Sequence, residues 1–204
     1  RIRMWKVDGA QPVLLVDDPS GSDNWDFSPD SRLFAFGSRQ GPISIVDLFI
    51  GKVIRQLEVG SSVFGLAFHP YEPRFAIFVN PTTIRICDIE SGHVLSEFSQ
   101  AGGVDGMAWH PYGETLAAVG HDRKIHLWHA ITGKPSWVLE GHNNGGIKLT
   151  FNNSGNLLAS TDWNGTLRLW DPGTGQQVFQ TQAGVHFPRF SSDDRLLAGQ
   201  IDGD

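Results

Sequence analysis

The sequence predicts an all-β protein built from repeated four-stranded antiparallel sheets. A short β-type segment recurs with spacings of 41, 41, 41 and 42 residues, as IRMW ending at Trp5, ISIV at Val46, IRIC at Cys87, IHLW at Trp128 and LRLW at Trp170. An aromatic residue followed by a turn recurs independently with spacings of 41, 41, 42 and 39 residues, from Phe27 to Phe190. No segment shows the 3.6-residue apolar period of a helix. A repeat of about 40–45 residues with four strands is typical of a β-propeller blade.

The third repeat shows the strand order most clearly. We expect strands over 104–110, 115–120, 124–130 and 136–140, with a turn at 111–113 between the first two. Gly133 lies in the turn between the third and fourth strands, where a hairpin favours a residue that adopts positive φ. Glycine recurs at this position in the other repeats, as Gly51, Gly92 and Gly175.

Two dipeptides identify the repeat more closely. The segment LRLWDPGTGQ at 167–176 contains Trp170-Asp171, and LEGH at 139–142 contains Gly141-His142. With these motifs the chain resembles the WD-repeat family over its whole length. The second residue of the first dipeptide is aspartate in three repeats and another residue in two, namely Asp47, Asp88 and Asp171 against Lys6 and His129.

The position of each strand within the repeat predicts where the blades begin and end. The chain begins with a third and a fourth strand (2–7 and 11–16) and ends with a first and a second strand (186–191 and 195–201). We therefore predict half-blades at 1–16 and 186–204, and whole blades at about 23–59, 63–100, 104–140 and 146–182. The two halves could pair into a fifth blade, or the chain could be an arc of a larger ring. We favour the arc, within the seven-bladed propeller that the resemblance implies.

The resemblance also implies a structural hydrogen-bond network in each blade. In the fourth repeat it would join His142, Ser160 or Thr161, Asn164 and Trp170, and in the third repeat Asp122 and Trp128 match the pattern. A buried indole N–H and a buried imidazole both require partners. Because asparagine replaces the family's aspartate at 164, we expect a weaker network there.

The turns between second and third strands are candidates for binding a partner. Asn164-Gly165 is a strong hairpin signal, which places Trp163 at the end of a strand on the face where members of the family usually bind. Asp162, His121 and Arg39 occupy turn positions that correspond to it. Exposed tryptophan and arginine residues dominate the energy of many interfaces, although an indole that folds onto the adjacent blade is an equal alternative.

Composition and motifs narrow the possible functions. The net charge of −6 includes no basic run, which disfavours nucleic-acid binding, and no apolar stretch approaches the length of a membrane span. A single cysteine, Cys87, cannot form an internal disulfide, so cytoplasm is the expected compartment. His126 and His129 point to opposite faces of a strand, so with His121 they do not predict a metal site.

The resemblance implies a scaffold that binds protein or peptide partners, and we expect neither a cofactor nor catalysis. The resemblance adds the remaining blades of the parent propeller as further partners. An enzymatic propeller would need polar or metal-binding residues to converge in the central channel, where the first strands instead read NWDF, GLAF, GMAW, KLTF and FPRF. A purely architectural segment of a larger regulatory protein is the other alternative.

Overall fold

The computed structural model describes residues 2–5, 12–16, 24–37 and 42–201, and these residues contain strands and turns but no helix. The described residues therefore contain no helix that could cross a membrane. Four sheets of four strands form the body of the chain, and the predicted all-β fold is confirmed.

Each four-stranded sheet is an antiparallel meander, which we call a blade. Blade 1 contains β3 (Trp25–Phe27), β4 (Leu33–Phe36), β5 (Ile43–Asp47) and β6 (Lys52–Leu57). Blade 2 contains β7 (Val63–Phe68), β8 (Arg74–Val79), β9 (Thr83–Asp88) and β10 (Val94–Ser99). Blade 3 contains β11 (Gly106–Trp109), β12 (Thr115–Val119), β13 (Ile125–His129) and β14 (Lys134–Leu139). Blade 4 contains β15 (Lys148–Phe151), β16 (Leu158–Thr161), β17 (Thr166–Asp171) and β18 (Gln176–Gln182).

Two shorter sheets flank the blades. One pairs β1 (Ile2–Trp5) with β2 (Pro12–Val16), and the other pairs β19 (Val185–Phe190) with β20 (Leu197–Ile201). In the strands that the structure describes, these two sheets do not pair with each other to form a fifth blade. The number of blades in the complete ring stays a prediction.

Hydrophobic cores lie between neighbouring blades. Along β8, Phe75, Ile77 and Val79 point into a core shared with blade 1, whereas Ala76 and Phe78 point into a core shared with blade 3. Successive side chains of a strand point to opposite faces of a sheet, so each blade is buried on both faces. The first strands β3, β7, β11, β15 and β19 contact one another in that order, which places them on the inside of the arc.

Hydrogen bonds between turns join the blades at the end where first strands lead into second strands, which we call the lower face. The Nε2 of His69 donates to the carbonyl of Gly113 in the next blade (3.1 Å), and the Nε2 of His110 donates to that of Gly155 (2.9 Å). Asp194 occupies the corresponding turn position after blade 4. It accepts the backbone N–H groups of Asn153 (2.7 Å) and Ser154 (2.8 Å) instead.

These contacts explain two sequence features. The residue that accepts the hydrogen bond from the preceding blade has positive φ in all three turns, namely 78° at Gly113, 74° at Gly155 and 59° at Asp194. A positive φ favours glycine at this position. Desolvation alone would raise the pKa of Asp194, but the backbone and side-chain hydrogen bonds from Asn153 and Ser154 outweigh it and lower the pKa to about 2. The histidines of His69-Pro70 and His110-Pro111 therefore link neighbouring blades.

The outer edge of every blade carries a β-bulge. In the fourth strands β6, β10, β14 and β18, one residue has no partner in the third strand, namely Ile54, Leu95, Ser136 and Val178. A bulge twists an edge strand and disrupts its row of backbone donors and acceptors. The repeated bulge therefore protects the exposed edges from pairing with other strands.

Close packing at one strand position gives a stability test. A Cβ atom at Gly65 would lie 2.0 Å from the ring of Phe78, whereas at Gly106, the matching position in blade 3, it would lie 3.4 Å from Val119. We expect Gly65→Ala to lower the free energy of unfolding by about 1–3 kcal/mol through overpacking. Gly106→Ala should change it by less than about 1 kcal/mol. Urea denaturation measures both, and equal effects would contradict this account of the packing.

Candidate functional site

The upper face carries the turns between second and third strands and the loops that connect the blades. Trp163 lies in such a turn in blade 4, and 74% of its surface is exposed. Its backbone N–H donates to the carbonyl of Gly145 at 3.2 Å. A Cβ atom on Gly146 would lie 1.8 Å from the indole Nε1, so only glycine allows the ring to rest on this loop. Trp163 is thus both exposed and supported from below.

His121 occupies the equivalent turn of blade 3. Its N–H donates to the carbonyl of Gly102 (2.8 Å), and its ring packs against Gly103. The side chain is 71% exposed, with Nε2 lying 3.3 Å from Oδ1 of Asp105. The structure therefore places Trp163 and His121 at matching positions on one face. Arg39 lies outside the described residues.

Asp162 requires a correction. The sequence suggested a surface residue beside Trp163, but only 2% of Asp162 is exposed. Its Oδ1 accepts the N–H groups of Asn164 and Thr166, both at 3.1 Å, and its Oδ2 lies 3.0 Å from Nδ1 of His142. Asp162 therefore belongs to the interior of blade 4 and cannot contact a partner directly.

A buried hydrogen-bond network lies beneath the turn of Trp163. Trp170 donates from Nε1 to Oγ of Ser160 at 2.8 Å, and Oγ lies 2.7 Å from Nε2 of His142. Since the Ser160 hydroxyl accepts from the indole, its own proton points to His142 Nε2. Nδ1 of His142 then carries the ring proton and donates to Asp162. The network joins three strands or loops of the blade.

The carboxylate of this network comes from an unexpected position. The resemblance assigned the role to Asn164, but Asn164 is exposed, and the described contacts of its backbone are with Asp162 and Gln182. Asp162, two residues earlier, provides a charged acceptor instead. The asparagine at position 164 therefore does not remove the carboxylate from the network. The expectation of a weaker network assumed that residue 164 supplies this carboxylate, and that assumption was wrong because Asp162 supplies it.

Burial shifts the pKa values of the network. Burial lowers the pKa of His142 below 6.5, although Asp162 opposes this shift. For Asp162, burial alone would raise the pKa, but the hydrogen bonds from His142 and Thr166 outweigh it and lower the pKa below 3.8. The folded protein therefore holds a neutral imidazole next to an ionised carboxylate.

Blade 3 builds its network from different residues. Trp128 donates from Nε1 to Oε1 of Gln100 at 3.2 Å, and Gln100 donates to the carbonyl of Gly103 at 2.9 Å. Gln100 lies 42 residues before His142, so it occupies the position in the third repeat that His142 occupies in the fourth. This equivalence is visible in the sequence, but our sequence analysis did not include it. The position of Asp162 is Gly120 here, where a Cβ atom would lie 2.1 Å from the Gly103 carbonyl oxygen.

Asp122 does not join that network. Its Oδ2 lies 2.7 Å from Nε2 of His126, and its Oδ1 accepts the N–H of Lys124 at 3.2 Å. Asp122 therefore stabilises its own turn and the start of β13. The described residues contain no group of three or more His, Cys, Asp or Glu side chains that could hold a metal ion.

Burial also shifts the pKa values of two further side chains, Cys87 and Asp26. Burial raises the pKa of the Cys87 thiol to about 11, so the thiolate form is suppressed at neutral pH. Asp26 lies on the inner strand β3 and accepts the N–H of Phe68 in blade 2 at 2.9 Å. Burial raises the pKa of Asp26, against the effect of its backbone hydrogen bonds. Its described contacts thus link two blades.

Four-stranded blades that pack face to face, one of them with a buried His–Ser–Trp network, define a β-propeller of WD type, and this chain belongs to the WD-repeat family. A family model described as "WD domain, G-beta repeat" matches residues 90–129 and 133–171. A second model, "Anaphase-promoting complex subunit 4 WD40 domain", matches residues 25–105.

Two curated relatives come from Schizosaccharomyces pombe. The chain is 36% identical over 92 residues to the periodic tryptophan protein 2 homolog, an alignment that covers 45% of this chain and 10% of that protein. It is 32% identical over 89 residues to eukaryotic translation initiation factor 3 subunit I, covering 42% of this chain and 27% of that protein. The aligned segments span less than a third of either relative.

The position of the network carboxylate can be tested by two substitutions. Asp162→Ala should lower the free energy of unfolding by about 2–3 kcal/mol, because it leaves the buried donors of His142 and Thr166 unpaired. Asn164→Ala, on the exposed side of the same turn, should cost less than about 1 kcal/mol. Chemical denaturation at pH 7 measures both. The opposite order would restore Asn164 to the network.

Acid should destabilise the fold through its buried histidines. Burial lowers the folded-state pKa of both His69 and His142 below 6.5, so the unfolded chain binds protons first. The free energy of unfolding should therefore fall as the pH drops from about 6.5 toward the folded-state values. His69→Gln, which keeps a donor for Gly113, should make this fall shallower. Its stability at pH 8 serves as the folding control, and an unchanged slope from pH 7 to 5 would contradict the assignment.

Proposed function

We propose that this chain is a non-catalytic scaffold that binds a protein or peptide partner on the upper face of a WD-repeat propeller. WD repeats in general mediate protein–protein interactions. One relative is named as a subunit of a translation initiation factor, which supports a role for this chain within an assembly of proteins. The net charge of −6 and the buried thiol of Cys87 support a cytoplasmic location without nucleic-acid or membrane binding.

The single observation that carries the proposal is the setting of Trp163. Its indole is 74% exposed, yet its turn is fixed by a hydrogen bond to Gly145 and its ring rests on Gly146. A supported aromatic ring loses little conformational entropy when a partner covers it. Tryptophan is also enriched among the residues that dominate interface energies.

The network beneath the turn supports the same interpretation. Asp162 binds His142 on one side and holds the turn of Trp163 through the N–H groups of Asn164 and Thr166 on the other. The buried hydrogen bonds thus extend from Trp170 in the blade interior to the residues that flank the exposed indole. We propose that this preorganises the binding surface.

Substitution of Trp163 tests the proposal. Trp163→Ala should weaken partner binding by about tenfold or more, because it removes a central aromatic contact. Partners captured by the intact protein would be quantified by mass spectrometry against those captured by the variant.

The matched control is Tyr71→Ala, which removes a side chain of similar exposure, 72%, from the lower face. Thermal unfolding of both variants checks the fold. A partner list that survives Trp163→Ala unchanged, with the fold intact, would favour a purely architectural role. Loss of the same partners with Tyr71→Ala would move the binding surface to the lower face.

A further inference from the structure

A buried arginine in blade 4 contacts no carboxylate among the described residues. Arg168 is only 7% exposed, and its Nη2 donates to the carbonyl of Gly141 at 2.7 Å. Its Nη1 donates to the side-chain oxygens of Gln180, at 2.7 Å, and of Gln177. Within the described part of the chain, Nε is buried without a hydrogen-bond partner. Burial of a cation is costly without a counter-charge, and every acceptor that this arginine contacts is neutral.

Blade 2 shows what the equivalent arginine contacts when a carboxylate is present. Arg85 occupies the same strand position two repeats earlier. Its Nε donates to Oε2 of Glu97 at 2.6 Å, and its Nη1 donates to the carbonyl of Val59, in the loop before β7, at 2.8 Å. Opposite the two arginines in register, the fourth strands carry Glu97 in blade 2 and Gln180 in blade 4. Blade 4 therefore has a neutral amide at the position from which blade 2 supplies a carboxylate to Nε.

The guanidinium is separated from solvent by two glutamine side chains of the outer edge. Gln177 and Gln180 belong to the edge strand β18, and both are exposed. The bulge at Val178 brings them onto one face, because residues three apart on a regular strand point to opposite faces. It is the face of Trp170, whose ring packs in the core shared with blade 3. Displacement of the two amides therefore opens the guanidinium to a ligand at the outer edge between blades 3 and 4.

We propose that Arg168 binds a carboxylate of the partner, an aspartate or glutamate side chain that enters at the outer edge of blade 4. The inference rests on the proposed docking function and adds a second contact to it. A guanidinium has five N–H donors, and the contacts of Arg168 use three of them. Hydrogen bonds from a guanidinium to a carboxylate are stronger than those to a neutral amide. An acidic side chain therefore competes favourably with Gln177 and Gln180 for this arginine.

The surroundings of this edge fit a protein ligand. Val178 and Phe179, which lie between the two glutamines in the sequence, are 55% and 47% exposed. On the edge strand of blade 3, Trp137 and Val138 are each 45% exposed. Aromatic residues and arginine are enriched at protein interfaces. The outer edge of blades 3 and 4 therefore offers apolar contacts next to the charged one.

The test measures the melting temperature of the intact protein in sodium acetate and in sodium chloride at equal ionic strength. A ligand that binds only the folded state raises the melting temperature. With a Kd of about 20 mM, acetate at about 100 mM should raise it by about 2–4 °C more than chloride does. We expect acetyl-Gly-Glu-Gly-amide to act like acetate. Acetyl-Gly-Gln-Gly-amide, which has the same shape without the charge, should have no effect.

Two variants localise the binding. Gln180→Glu places in blade 4 the carboxylate that blade 2 has at Glu97. It should raise the melting temperature without acetate by about 2–4 °C and abolish the response to acetate and to the glutamate peptide. The matched control is Gln56→Glu, which adds the same charge at the same position of blade 1, where Ser44 lies opposite in register instead of an arginine. It should leave the response intact.

Three results would overturn the inference. The first is an equal melting temperature in acetate and chloride, and the second is an equal effect of the glutamate and glutamine peptides. The third is a response to acetate that Gln180→Glu leaves in full, or that Gln56→Glu abolishes as well.

This test is independent of the test of the docking surface. If Trp163→Ala abolishes partner capture while acetate and the glutamate peptide have no effect, the docking function stands and the inference about Arg168 fails. If the response to carboxylate is present and is lost in Gln180→Glu, while Trp163→Ala leaves all partners in place, the site at Arg168 stands and the proposed role of Trp163 fails.

Discussion

The middle strands of blades 1, 2 and 3 each contribute side chains to two hydrophobic cores, and the rest of the structure depends on this sharing. In β8, Ile77 packs toward blade 1 and Phe78 toward blade 3, so neither core exists without both neighbours. A single four-stranded sheet would leave both apolar faces in water, and stability is therefore a property of adjacent blades. The links from His69 to Gly113 and from His110 to Gly155 reinforce these contacts at the lower face, where they fix one blade's turns against those of the next.

Rigid blades allow the upper face to vary without loss of the fold. Blade 4 satisfies its buried indole through Ser160, His142 and Asp162, whereas blade 3 satisfies its own through Gln100 alone. Both solutions leave a turn that rests on a glycine-rich loop, with Trp163 exposed in one blade and His121 in the other. A buried indole N–H requires a partner, and the two blades provide it with different residues. The surface residues above these networks, Trp163 and His121, stay exposed in both blades.

The candidate site was only partly predictable. The hairpin signal at Asn164-Gly165 located Trp163 correctly at the end of a strand, because a turn sequence determines local backbone geometry. The same reasoning placed Asp162 on the surface, where the structure buries it at 2% exposure. Near a turn the alternation of strand side chains ends, and the contact of Asp162 with His142, 20 residues away, decides its direction.

The sequence by itself determined the period, the strand order within each blade and the glycine positions, since these depend on residues close together in the chain. The sequence also shows that Gln100 occupies in the third repeat the position that His142 occupies in the fourth, 42 residues later. This equivalence becomes visible only when the repeats are compared position by position. Only the tertiary structure decided which carboxylate enters the blade 4 network and which turns link the blades. These outcomes depend on distances between side chains from different blades, and repeat spacing does not specify those distances.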